Sequence, residues 1–211
     1  MQRMKTAKEG WFGFFRIAYA LCSPFLLFIG CATLYALSSS RHEANIPGLP
    51  LFAVLVWAAV LVPAAWFVFG IYSRRQLLKS IVAELRSSEF FNPAPGFEAY
   101  HEGDGKYLGI DVDKGTILYV HKIRKGEVDV VALTMDDWTD RAAEGKLFRL
   151  FTKFPQLPRI EIATPWADRW FDTLGAMEYQ KFAGRGPFAQ YVSRKLEQLE
   201  RNHRIQIPRV A

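Results

Sequence analysis

The chain has 211 residues, half of them hydrophobic, and a net charge of +6 from 27 basic and 21 acidic residues. From Tyr72 onward basic residues outnumber acidic ones only 22 to 19, a mixed surface that argues against a nucleic-acid groove. Both cysteines, Cys22 and Cys31, lie in the first third, so the remainder holds no thiolate metal site and needs no oxidising compartment.

The apolar residues are concentrated near the start. Ile17 to Leu37 (IAYALCSPFLLFIGCATLYAL) and Leu51 to Ile71 (LFAVLVWAAVLVPAAWFVFGI) contain no charge. As helices each would extend roughly 31 Å, close to the hydrocarbon thickness of a bilayer. The spacing predicts a membrane α-hairpin of two transmembrane helices. On one helix the two cysteines would lie roughly 13 Å apart, too far for a disulfide. Phe28-Ile29-Gly30-Cys31 is similar to a lipoprotein cleavage box, but the apolar run continues past Cys31 and a second span follows at once.

Flanking charge sets the expected orientation. Arg3, Lys5, Lys8 and Arg16 precede the first span, and Arg74, Arg75 and Lys79 follow the second. The connecting loop has only Arg41, set against Glu43. Basic flanks stay on the cytoplasmic side, which puts both termini in the cytoplasm of a multi-pass inner-membrane protein. Trp11, Phe12, Phe14, Phe15, Trp66 and Tyr72 would anchor the interfaces. Pro24 and Pro63 are expected to kink the spans. Ala32 with Ala36, and Ala59 beside Pro63, would permit close packing, which leaves a homo-oligomer open.

The expected organisation is a cytoplasmic segment at 1–16, the hairpin at 17–71 with an outer loop at 38–50, an amphipathic stalk at 72–92, and a cytoplasmic α+β domain at 93–211. Leu77, Leu78, Ile81, Val82 and Leu85 recur at helical spacing in the stalk. Phe90 to Phe97 (FFNPAPGF) ends it. Tyr107–Asp111 and Thr116–Ile123 read as a hairpin around Val112–Gly115. Val128–Thr134, Lys146–Thr152 and Arg159–Ala163 read as three further strands, while Met135–Glu144 suits a short helix. Thr164 and Pro165 predict a helix start, with Trp166, Trp170, Leu174 and Met177 on its apolar face. A last helix, about Phe188–His203, buries Phe188, Val192, Leu196 and Leu199. The fold expected is an antiparallel β-meander of about five strands packed by C-terminal helices, a pleckstrin-homology-like layout.

Candidate chemistry is sparse. Asp111-Val112-Asp113 resembles the aspartate pair of haloacid-dehalogenase-type phosphatases, but Lys114 interrupts the motif and a strand follows where a helix is required. A hairpin turn explains the same residues. His101, Glu102 and Asp104 form a polar cluster with too few ligands for a metal centre. The glycines at 103, 105 and 109 precede a strand, so they are not a dinucleotide fingerprint. No catalytic set and no cofactor or metal site emerges. Lys122, Arg124 and Lys125 could meet acidic lipid headgroups; Trp138, Trp166 and Trp170 read as core, and any one of them left exposed would anchor a partner.

Two N-terminal spans followed by KYLGIDVDKGTILYVHKIRKGEVDVVALTMDDW, LFRLFTKFPQLPRIEI and WFDTLGAMEY resemble the surface or entry exclusion proteins of IncI-type conjugative plasmids. The resemblance implies a bacterial inner-membrane protein that is not an enzyme. It would block redundant plasmid entry by recognising a protein of the conjugative transfer apparatus. Two other classes stay open: a membrane-anchored adaptor that binds lipid or a membrane protein, and a phosphatase-like enzyme using Asp111 and Asp113.

Overall fold

The structure, a computed structural model, describes residues 7–38, 47–124, 126–180, 182 and 188–208, with side chains in the first helix from Ile17 onward. Two long helices, α1 (Ala7–Ser38) and α2 (Leu49–Leu85), come first. Seven strands follow among the described residues: β1 (Glu98–His101), β2 (Lys106–Asp111), β3 (Thr116–Arg124), β4 (Glu127–Thr134), β5 (Trp138–Glu144), β6 (Leu147–Thr152) and β7 (Arg159–Ala163). Helices α3 (Ala167–Met177) and α4 (Phe188–His203) close the chain. Residues 1–70 and 71–211 form two compact units.

In the first unit Tyr19 meets Val60 and Gly30 meets Trp57, so the helices run antiparallel. Ala53, Val56 and Val60 form the buried seam of α2. The seam on α1 is Gly30 and Thr33, not the Ala32–Ala36 pair that the sequence suggests. Gly30 is needed there because a Cβ would stand 3.2 Å from the Trp57 ring. Thr33 donates its hydroxyl to the Gly30 carbonyl at 2.8 Å, and Tyr19 donates to the Val60 carbonyl at 2.6 Å. Val60 lies one turn before Pro63, which interrupts the hydrogen-bond ladder of α2. Both helices are long and apolar enough to cross a membrane, with mean hydropathy 2.0 over Ile17–Ser38 and 2.4 over Leu49–Leu85. Only 11% and 17% of their apolar windows are buried, where a soluble core helix would be mostly covered. The pair marks the chain as membrane-associated. The flanking residues of the expected loop, among them Arg41 and Glu43, and the side chains of Trp11 to Arg16 lie outside the described residues.

The second unit is built on a four-stranded antiparallel sheet in the order β1-β2-β3-β4 and a three-stranded one in the order β5-β6-β7. Strands β2 and β3 are buried on both faces. Tyr107, Leu118, Val120, Val128 and Val130 point to one side, where the end of α2 and all of α4 cover them. Leu108, Ile110, Ile117, Tyr119, Val131 and Leu133 point to the other, against Phe148, Leu150, Ile160 and Ile162 of the smaller sheet and Trp170, Leu174 and Met177 of α3. That is why β2 and β3 read as unbroken apolar runs, while β6 and β7 alternate.

Three features go beyond the expected meander. The stalk continues the second apolar helix as α2, and its Leu78, Ile81, Val82 and Leu85 are buried, so its apolar face is a layer of this unit. Glu98–His101 adds a strand, paired Tyr100 to Tyr107. Trp138–Glu144 is a strand rather than a helix: the Asp137 carboxylate reaches back to the Thr134 N–H and hydroxyl, both at 2.7 Å, and holds a turn where a helix cap was expected. The hairpin around Val112–Gly115 and the last helix occupy the predicted residues.

Two glycines are required by contacts. Gly109 leaves room for the Tyr107 hydroxyl and the Phe91 ring, which would stand 2.3 and 2.8 Å from a Cβ. Gly115 has φ of +67°, and Phe182 lies 2.6 Å from where its Cβ would be. Trp170 joins the layers. It is fully buried, packs edge-on against Phe148, and donates its indole N–H to the Gly96 carbonyl at 2.8 Å.

Replacing Trp170 by Ala should destabilise the full chain by about 3–5 kcal/mol, read from thermal unfolding by near-ultraviolet circular dichroism in detergent. A loss below about 1 kcal/mol would contradict its central place in the core.

Candidate functional site

The Asp111–Thr116 turn is the first place to look for chemistry. Asp111 is almost fully buried. Its Oδ1 accepts the N–H groups of Asp113 and Lys114, each at 3.1 Å. Its Oδ2 accepts the Asn92 N–H at 2.7 Å and the Lys114 ammonium at 2.9 Å. Four donors occupy the carboxylate, and all of them tie the hairpin to itself and to the segment after α2. Asp113 is exposed, and the bond it makes to this set is from its backbone N–H. The Asp111 carboxylate is thus committed to holding the turn. No group of three potential metal ligands occurs among the described residues. The His101 ring accepts the Asp104 N–H at 3.3 Å, and Glu102 pairs with Arg75 at 2.9 Å.

The basic turn is less uniform than its sequence. Lys122 is half-buried on β3, and both its burial and the nearby Arg74 hold its ammonium below the usual lysine range. Arg124 is exposed and paired with Glu127. Lys125 lies outside the described residues. Trp138, expected as an anchor only if exposed, is 5% exposed within the core. This removes it from the surface, because β5 directs it at the layer between sheet and helix. Its indole nitrogen has no hydrogen-bond partner among the described residues.

Arg141 organises the outer edge of that layer. It pairs with Glu178, donates to the Phe171 carbonyl at 2.8 Å, and lies over the rings of Trp138 and Phe171 at 5.6 and 4.8 Å. A side chain on Gly175 would meet it at 2.5 Å. The sequence reading missed Arg141 because the segment lacked a clear period. It also misplaced Trp166. The Thr164 hydroxyl accepts the Trp166 N–H at 3.2 Å, so α3 begins two residues later than Pro165. Trp166 then precedes the apolar face and is 46% exposed, with Tyr179 at the far end of α3 89% exposed. Beyond Tyr72, the exposed large apolar side chains among the described residues are Trp166, Phe171 and Tyr179, and all three belong to α3 or its ends. Exposed aromatic side chains of this kind are the usual anchors of a protein interface.

On the other face, Arg86 pairs with Glu98, and Tyr107 donates to the same carboxylate at 3.2 Å. Tyr100 packs on Tyr107 with ring centroids 4.6 Å apart. Burial, with the Glu98 charge beside it, pushes the Tyr100 phenol up to about 12. The same causes push Tyr107 further in the same direction.

These features define a membrane-associated protein with an antiparallel α+β domain, in which the buried carboxylates hold turns and the exposed aromatics gather at one helix. The chain belongs to the exclusion-determining protein family, whose profile matches residues 1–211. No curated protein and no solved structure matches it.

Two predictions follow from this geometry. Asp111→Ala strips the acceptor from buried donors and should cost about 3 kcal/mol, whereas Asp113→Ala should change stability by less than about 0.5 kcal/mol. Thermal unfolding compares the two; equal losses would mean that Asp111 does not hold the turn. The raised phenol of Tyr100 stays protonated in the folded chain after an unfolded tyrosine, near pH 10, has begun to ionise. The contribution of this phenol to stability is therefore constant below about pH 10 and is lost as pH rises towards 12. Alkaline unfolding should shift upward for Tyr100→Phe, and an unchanged profile would refute the coupling.

Proposed function

We infer that this protein acts in plasmid entry exclusion in a recipient cell, held in the bacterial inner membrane by α1 and α2 and blocking redundant conjugative transfer. The observation that carries this reading is the family match across residues 1–211. An exclusion function needs a membrane address and a recognition surface. The two apolar helices supply the first and the aromatic residues around α3 offer the second. Basic residues at Arg74, Arg75 and Lys79 support a cytoplasmic face for residues 72–211 and cytoplasmic termini. The partner is a protein of the conjugative transfer apparatus, recognised through Trp166, Phe171 and Tyr179. Recognition of this kind makes no demand on a reacting group, in keeping with the structural use of Asp111.

A mating assay tests the reading. Recipients expressing the protein should take up a related plasmid many times less often than recipients without it. Equal uptake would refute exclusion. The double variant Trp166→Ala/Tyr179→Ala should restore uptake while remaining in the membrane fraction at wild-type abundance. Full exclusion by that variant would move the recognition surface elsewhere.

A further inference from the structure

The apolar contact between α2 and the four-stranded sheet ends in two positive charges. Along α2 the side facing the sheet runs Leu85, Val82, Ile81 and Leu78. The next position on that side, one turn earlier, is Arg74. Along β3 the same face runs Leu118 and Val120, and the next position is Lys122, whose partner Val128 is in the same core. Where the pattern calls for a further apolar pair, the sequence sets two cations against each other.

The turn between β1 and β2 holds both. Arg74 donates to the Gly103 carbonyl at 2.8 Å, and the Lys122 N–H donates to the Gly105 carbonyl at 2.8 Å. Gly105 lies between their stems: a Cβ there would be 3.2 Å from Lys122 Cβ and 3.9 Å from Arg74 Cδ. The acids of the turn are engaged elsewhere, Glu102 with Arg75 at 2.9 Å and Asp104 with Lys106 at 3.7 Å and His101 at 3.5 Å. On the neighbouring strands Glu127 pairs with Arg124, and Asp129 stands opposite His121. Neither Arg74 nor Lys122 has a carboxylate partner among the described residues. Arg74 is exposed and Lys122 half-buried, and like charges held near one another oppose each other unless an anion lies between them. The guanidinium retains free N–H donors in a planar fork, and the ammonium has three, a set suited to phosphate oxygens.

We propose that Arg74 and Lys122, framed by the Gly103–Gly105 turn, bind the phosphate of an acidic phospholipid headgroup. The source is argued from position. Arg74 stands three residues beyond Ile71, the last apolar residue of the second span, about 4.5 Å further along the same helix. A phosphate at that depth belongs to the bilayer surface. The inference rests on the membrane placement given above and is independent of the exclusion partner.

The test uses the full chain in nanodiscs of phosphatidylcholine, with and without phosphatidylglycerol. Recovery without detergent or disc, from the soluble fraction, would overturn the membrane placement and is read first. In discs, phosphatidylglycerol should raise the melting temperature by about 3 °C for wild type, Arg124→Gln and Lys122→Arg. Lys122→Gln and Arg74→Gln should lose the rise. In phosphatidylcholine alone Lys122→Gln should melt no lower than wild type, because it removes a repulsion, which separates loss of binding from loss of folding. A rise that survives in both Gln variants overturns the site. So does an equal rise from inorganic phosphate in phosphatidylcholine discs, which would assign it to a soluble anion.

Discussion

The constraint on which the second unit depends is the burial of β2 and β3 on both faces. An antiparallel hairpin with one wet face needs a single covering layer. This one needs two. The end of α2 and α4 meet one face, and the smaller sheet with α3 meets the other. Each layer is amphipathic and has nowhere else to bury its apolar side. Because α2 supplies Leu78 to Leu85, the helix that carries the second apolar run also completes the core of the sheet. Removing residues 72–85 would strip one of the two covers from Tyr107, Leu118 and Val120 and leave α4 alone on that face.

Sheet edges are handled by the same economy. At β4 the chain after α4 returns, with Gln206 bonded to Gly126 at 2.8 Å and Val128 bonded to Gln206 at 3.1 Å. Ile205 and Ile207 are drawn into the core beside it. Glu84 on α2 binds both His203, at 2.7 Å, and Asn202, at 3.1 Å, and so fastens the end of α4. A sheet edge left open invites pairing with other chains, and here the start of the β4 edge is paired by the residues that follow α4.

Much of this was legible in the residues. The two uncharged runs, the β2–β3 hairpin and α4 follow from composition, turn chemistry and helical spacing, and they occupy the expected positions. What was not legible depended on tertiary contacts. The α2 extension had the period of an amphipathic helix, but period alone does not say what covers it. Strand β1, only four residues with Glu98 and His101 at its ends, has no apolar alternation to read. Strand β5 has Asp140, Arg141 and Glu144 within seven residues, and Arg141 is held at the edge of the layer by the Phe171 carbonyl and ring of α3, by Glu178 just after it, and by the Trp138 ring of its own strand. Trp166 was misread through a shift of two residues in the start of α3, enough to turn a core position into an exposed one.

The use of charge then bears on what the protein does. Here the inward-facing acids are spent: Asp111 on four donors, Asp137 on the Thr134 turn, Glu98 on Arg86 and Tyr107, Glu84 on α4. Even the wet face of the smaller sheet links Arg149 to Glu144 and Glu161. Among the described residues of the second unit, two features stand apart from these ties. One is aromatic, around α3, and suits a protein partner. The other is cationic, at Arg74 and Lys122, and suits an anion. Aromatic anchors gain from excluding water, whereas paired cations gain from a counter-charge, so the two surfaces call for different ligands.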